Sequence, residues 1–370
     1  MNNQGSDVLV TMTRRERVYA TIQRQPLDAI PWQFDLTSAV TDRLKALLNT
    51  DDVAAALDDH FVYVVMPDPK PADRTPAPAG CYRDAFGVVW RREAADRTVG
   101  DWGGHVSHPL HAPNLTGYLF PEPLADPTRT RDIPIARRKH PDRFLWTSGG
   151  GLFERGWAIC GFENYLGYLA GEESFVEELT HRLTDYCCRE MSLLSGLGLD
   201  AVRFGDDWGF QNSLMIQPVA WRRIFKKHYR RVFQSARDAG LIVMLHSCGK
   251  IEDIIPDLID VGLDVLHPLQ PESNDVVRCQ REFGRDIAFW GALGSQSTLP
   301  FGTAADVRRE VRERLRLFRN GGYILAPAGA APAETPAENI LAIADEARAQ
   351  EGLSGGIGKV RSVTKQEKLS

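Results

Sequence analysis

From residue 200 onward the chain repeats one pattern five times, a short β-rich run followed by a longer amphipathic one. The pairs are DAVRFG (200–205) with 218–239, LIVMLH (241–246) with 250–261, DVLHP (264–268) with 273–283, DIAFWG (286–291) with 304–319, and GYILA (322–326) with 336–350. Strands joined through a helix-length crossover run parallel, since an antiparallel pair needs only a tight turn, so the series predicts a parallel sheet covered by helices. Gly240 and Gly262 stand where helices should stop, and Thr335-Pro336 offers a cap followed by proline at the first helical position.

The first half is less regular. It reads as a basic amphipathic helix at 13–24, a strand IPWQFD (30–35), helices near 38–58 and a strand FVYVVM (61–66). A stretch rich in Pro, Gly and His follows from 67 to 142, and FGVVWRRE (86–93) within it reads as one strand of a hairpin. We read 67–142 as an insertion folded over one end of the sheet. Strand FLWTSG (144–149) and helices 155–168 and 172–195 lead into the regular half. About eight strands result, which fits an α/β fold of the closed (β/α)8 TIM-barrel type with an N-terminal helical extension better than an open doubly wound sheet. The expected organisation is one barrel domain over 1–352 and a disordered tail, 353–370, which is polar, glycine-rich and without an apolar period.

Bulk properties narrow the function. A formal net charge of −5, with no long block of one sign, argues against a nucleic-acid partner. No run approaches the roughly 20 apolar residues a membrane span needs, and the N-terminus lacks a signal-peptide h-region, so a cytoplasmic protein is expected. Six cysteines are too sparse in 370 residues for a disulfide scaffold and are expected to be reduced.

Several residues could carry chemistry. His246 and Cys248 are two apart at the end of a strand, so both side chains point to one face, at the barrel end where active sites form. A thiolate and an imidazole suit Zn2+, but two ligands do not complete a site; a small buried cysteine beside a hydrogen-bonded histidine reads equally well. In RFGDDWGFQNS (203–213), adjacent Asp206 and Asp207 cannot share one face of an extended strand, so one at most enters a pocket as an acid or base. A hydrated turn is the alternative. Glu154 and Glu163 follow a strand end and could supply an oxygen ligand. His105, His108 and His111, spread over a Pro- and Gly-containing loop, read as surface histidines rather than a metal site. In HPLQPE (267–272), His267 and Gln270 are candidate substrate-orienting groups, joined by Trp32, Gln211 and Gln296 at other strand ends or loops.

Taken in order, these motifs resemble the uroporphyrinogen decarboxylase superfamily, in particular its branch of corrinoid-linked zinc methyltransferases and O-demethylases. The resemblance spans nearly the whole chain and rests on RRERVYATIQRQPLDAIPW near the start, YRDAFGVVWRR (82–92), LFERGWAICGFENYL (152–166), FGDDWGFQNSLMIQPVAW (204–221), LHSCGKIEDIIPDLIDVGLDVLHPLQ (245–270), FWGALGSQSTLPFGTAADVRREV (289–311) and GGYILAPAGAAPAETPAENILA (321–342). It implies a (β/α)8 barrel with its site at the C-terminal strand ends, and, for the methyltransferase branch, zinc held partly by a His-x-Cys pair matching His246 and Cys248. A corrinoid, if used, would arrive on a separate partner protein. Relatives in the superfamily are often homodimers.

Two departures stand out. Where the methyltransferases carry a third ligand after the last strand, this chain has Gly329; where relatives read G-G-x-D-x-Q, it has GALGSQ, with Gly294 in place of the acid. An acid from Glu154, Glu163 or the 206–207 pair would have to complete a zinc site, and Glu154 is the expected ligand beside His246 and Cys248. The arginine-rich segment of a porphyrin-carboxylate enzyme is also missing near the N-terminus. The leading expectation is a zinc-assisted methyltransferase or demethylase acting on a small substrate, such as a methoxylated aromatic. Asp206 or Asp207 would orient the substrate. The alternative is a metal-independent decarboxylase or lyase in which the Asp206-Asp207 pair stabilises a developing cation and His246 moves a proton. A barrel that binds a small ligand without chemistry is the third reading.

Overall fold

A computed structural model describes residues 11–71, 75–91 and 104–350; the expected tail, 353–370, lies outside them. Seven strands form one parallel sheet in the order β1 (Phe61–Tyr63), β5 (Phe144–Ser148), β6 (Ala201–Gly205), β7 (Ile242–His246), β8 (Val265–Leu269), β9 (Ala288–Leu293) and β10 (Tyr323–Pro327). The segment expected as strand 30–35 closes the ring. Trp32 and Leu36 make parallel bridges to Leu325 and Ala331 of the last unit, while the Trp32 carbonyl accepts from His60 N–H just before β1. The sheet is therefore a barrel with an eighth, irregular stave, as the βα series predicted.

Alternation along the strands divides the core in two. Inward side chains, including Phe61, Phe144, Trp146, Met244 and Trp290, fill the lower lumen. Outward ones pack beneath the helices. Val18 and Ile22 of the helix Arg14–Ile22 join the lumen cluster and plug its lower end. That helix is fixed by a capping box between Thr13 and Glu16. Helices expected as single pieces are broken in two places. Pro218–Ile224 and Lys226–Asp238 are separate, and so are Phe153–Cys160 and Phe162–Gly171. The second break is at Gly161, whose φ of +83° suits glycine and whose Cβ would lie 2.8 Å from the His108 ring.

Within 67–142, β2 (Cys81–Arg83), β3 (Val89–Arg91) and β4 (His105–Ser107) form a small antiparallel sheet. It is tied to the barrel through Asp84, which accepts from Trp90 Nε1 at 3.0 Å and from Arg155 at 2.8 Å. Farther on, Arg129 pairs at 2.7 Å with Glu190 of the helix Glu173–Ser192, both almost fully buried. Among the described residues no helix is long and apolar enough to cross a membrane.

Candidate metal and substrate site

The C-terminal ends of the strands surround a cavity of about 940 Å3. Its wall combines apolar rings, Phe34, Trp90 and Trp146, with the polar groups Asp35, Glu154, Arg203, Asp207, His246 and Cys248.

At the mouth, three side chains converge. His246 Nε2 lies 3.3 Å from Cys248 Sγ and 3.4 Å from Asp207 Oδ1. The three potential ligand atoms all fall within 4.8 Å of one another. Strand pleating brings the first two together, since residues two apart on one edge project alike. Asp207 is held by its own contact: Oδ1 accepts from Cys248 N–H at 2.7 Å. Burial pushes the Cys248 thiol up, with the Asp207 and Glu154 charges adding to it, and burial lowers His246.

His267 fixes the imidazole of His246. The two Nδ1 atoms are 2.8 Å apart, and Arg203 Nη1 lies 3.4 Å from the same His267 nitrogen. An arginine only donates, so His267 Nδ1 is an acceptor, and His246 Nδ1 must carry the proton between them. His246 Nε2 is thereby left as a bare lone pair aimed at Cys248 and Asp207, the tautomer a metal ligand needs. His267 is buried and held well below the usual imidazole range, first by desolvation and then by the Arg203 charge.

The adjacent acids part company. Asp206 is fully buried and absent from the cavity wall. It accepts from Leu152 N–H and Glu154 N–H, both at 2.7 Å, and from the Tyr229 hydroxyl. It thus caps the start of the helix Phe153–Cys160, and burial raises its carboxyl to about 6 despite these bonds. Gly151 permits that approach, because a Cβ there would stand 2.2 Å from the Gly205 carbonyl. Asp207 turns into the cavity instead.

The oxygen atom at the cluster is therefore that of Asp207. Glu154, the expected ligand, faces the same cavity but stands outside the triad; burial and the charges of Asp207 and Asp206 hold its carboxyl well above the usual carboxyl range. Glu163 is exposed on its helix. Gly329 borders the cavity with open space where a side chain would begin. Gly294 does not: a Cβ there would lie 2.3 Å from Ser297 Oγ, and the residue is not part of the cavity wall.

The other expected substrate contacts lie elsewhere. Trp32 packs outward beneath the helices, its ring tilted against that of His60, with Nε1 donating to the Leu57 carbonyl. Gln270 is buried and accepts from Gly249 N–H, bracing the turn after Cys248. Gln211 and Gln296 are exposed and contact Glu272. His105, His108 and His111 form a row of neighbouring rings in which His105 Nε2 contacts the Ala158 carbonyl, and they are not among the groups that could hold a metal.

Residues 155–350, just over half the chain, match the uroporphyrinogen decarboxylase (URO-D) family. The chain belongs to that family. This URO-D chain is also 26% identical over 238 residues to two curated relatives named uroporphyrinogen decarboxylase, from two strains of Thermus thermophilus. The match covers 60% of the chain and 64%, under two thirds, of those relatives' length. Among solved structures, a methyltransferase from Methanosarcina mazei superposes with a TM-score of 0.69 at 18% identity, covering 91% of this chain and 99% of the other. At that identity the likeness speaks for the URO-D chain's barrel fold.

Proposed function

We propose that this URO-D family member is a zinc-dependent methyltransferase or demethylase whose metal is held by Asp207, His246 and Cys248. The observation that carries the reading is the convergence of a carboxylate oxygen, an imidazole nitrogen and a sulfur within 4.8 Å beside a large cavity. That is the donor set of a catalytic zinc site, three protein ligands with one position left open. Zinc bound there would act as a Lewis acid, lowering the pKa of a thiol acceptor or polarising a substrate methoxy oxygen. The name of the Methanosarcina mazei structure supports the same direction.

The chain's own residues prepare that site. His267 fixes the His246 tautomer, Asp207 ties its carboxylate to the Cys248 backbone, and Gln270 braces the following turn. Phe34, Trp90 and Trp146 give the cavity the apolar walls a small ring-bearing substrate needs. A corrinoid acceptor would be brought by a partner protein.

A metal-free carboxy-lyase is the second reading, favoured by the family match and by Glu154, a carboxyl held in its acid form beside Asp207. Cobalt substitution separates the two. The first reading expects a thiolate-to-cobalt charge-transfer band in the near ultraviolet that disappears in Cys248→Ser and shifts in Asp207→Ala. Failure of wild-type protein to take up cobalt or zinc would leave the carboxy-lyase.

A further inference from the structure

One group in the cavity meets the metal cluster only through His267 and has no role toward substrate in either reading. Arg203 is the central residue of β6, and Ala201, Arg203 and Gly205 share its inward face, so a guanidinium enters a lumen otherwise filled by rings and aliphatic groups. Its Cζ lies 4.1 Å above the Trp146 ring and 5.6 Å from that of Trp290. Its one hydrogen-bond contact among the described residues is the 3.4 Å approach to His267 Nδ1, a nitrogen already engaged by His246 at 2.8 Å. No carboxylate lies within ion-pair distance of it among those residues. Arg155, the other cation of the cavity, contrasts with it, being paired to Asp84 and lying over Phe86. An arginine has five donors in a planar fork shaped for a carboxylate; the Asp35 carboxylate of the same cavity acts on its charge from beyond ion-pair distance and leaves that fork open.

We propose that Arg203 receives the carboxylate of the substrate, so that the site takes an aromatic or similarly flat carboxylic acid, acid end down. The direction of insertion follows from the strand register. Gly205 pairs with His246 and Arg203 with Met244, so the Arg203 backbone lies one inward step, about 7 Å along the strand, below the mouth, and its side chain reaches from there to His267. Nη1 thus lies within about 6 Å of His246 Nδ1, a span that one ring bearing a carboxylate fills. A body held between Trp146 and Trp90 with its carboxylate on Arg203 would present its far end to Asp207, His246 and Cys248. The identity of the reacting end rests on the metal reading above; the anion site does not.

The test uses benzoate and benzamide as probes, titrated into metal-free full-length protein by calorimetry and by quenching of tryptophan fluorescence. Removing metal keeps the probe's carboxylate from binding zinc. Wild-type protein should bind benzoate at least 10-fold more tightly than benzamide. Arg203→Gln should weaken benzoate about 10- to 100-fold, to the level of the amide, and leave benzamide unchanged. Arg203→Lys should fall between. Benzoate binding within two-fold of wild type in Arg203→Gln, equal affinity for acid and amide, or no benzoate binding at all overturns the proposal. If Arg203→Gln does not fold, the acid-to-amide ratio of the wild type decides. Preserved discrimination in a protein that takes up no zinc would remove the metal reading and leave this one standing.

Discussion

Replacing Asp206 by alanine should damage the fold, while the same change one residue later should damage the site. Asp206 is the acceptor for Leu152 N–H, Glu154 N–H and the Tyr229 hydroxyl, and all three lie in the buried wall behind the cavity. A buried donor left without a partner costs about 1–3 kcal/mol, so three would total about 3–9; relief from no longer burying a carboxylate works against that and leaves about 3–5 kcal/mol. Asp207→Ala orphans Cys248 N–H alone, beside a cavity where water can replace the lost acceptor, which is worth about 1 kcal/mol. Urea denaturation followed by far-ultraviolet circular dichroism measures both, with zinc content determined on the same samples. Asp206→Ala should lose most of its stability margin yet keep zinc while folded; Asp207→Ala should stay folded and lose zinc. Greater destabilisation by Asp207→Ala, or a stable Asp206→Ala protein without zinc, would refute the division of roles between the two acids.

Three further outcomes follow from the same geometry. His267→Phe keeps a ring against Trp290 but removes the acceptor that orients His246, so zinc affinity measured by chelator competition should fall about 10- to 100-fold with little loss of melting temperature. Glu190→Ala leaves Arg129 buried and unpaired between the insertion and the barrel, and should cost about 3–5 kcal/mol in chemical denaturation. At the capping box of the helix Ala304–Leu317, hydrogen bonds from Thr303 lower the Asp306 carboxyl from 3.8 to about 2. The stability this lends is present above pH 3.8 and lost as pH falls through about 2; Thr303→Ala should raise the Asp306 pKa measured by NMR toward 3.8 and flatten that loss of stability in acid denaturation.

The barrel was legible in the sequence where strands are buried on both faces and separated by amphipathic helices, because each unit carries its own period. The stave at 30–35 was legible as extended chain, but its pairing through bridges at Trp32 and Leu36 depends on closing the ring, which local pattern does not encode. The same holds for Trp32, whose outward direction follows from that closure. His246 and Cys248 could be paired from spacing alone. The choice between Asp206 and Asp207 could not, since the chain leaves the strand there and the turn decides which acid meets the helix start and which the cavity. Glu154 begins a helix that Asp206 caps, so its position beside the triad rather than in it depends on contacts between distant segments. Arg203 is absent from the residues expected at the site, although a signal exists: an arginine on the inward phase of AVRFG, flanked by alanine and glycine, marks a charge aimed into a lumen.

The most direct measurement is the zinc content, by plasma mass spectrometry, of protein dialysed against excess zinc and then against metal-free buffer. The expected result is about one zinc per chain in the wild type and close to none in Asp207→Ala, His246→Ala or Cys248→Ser, with Glu154→Gln retaining its metal. A wild-type chain that emerges without zinc, or one whose zinc survives loss of Asp207 but not of Glu154, would contradict the account.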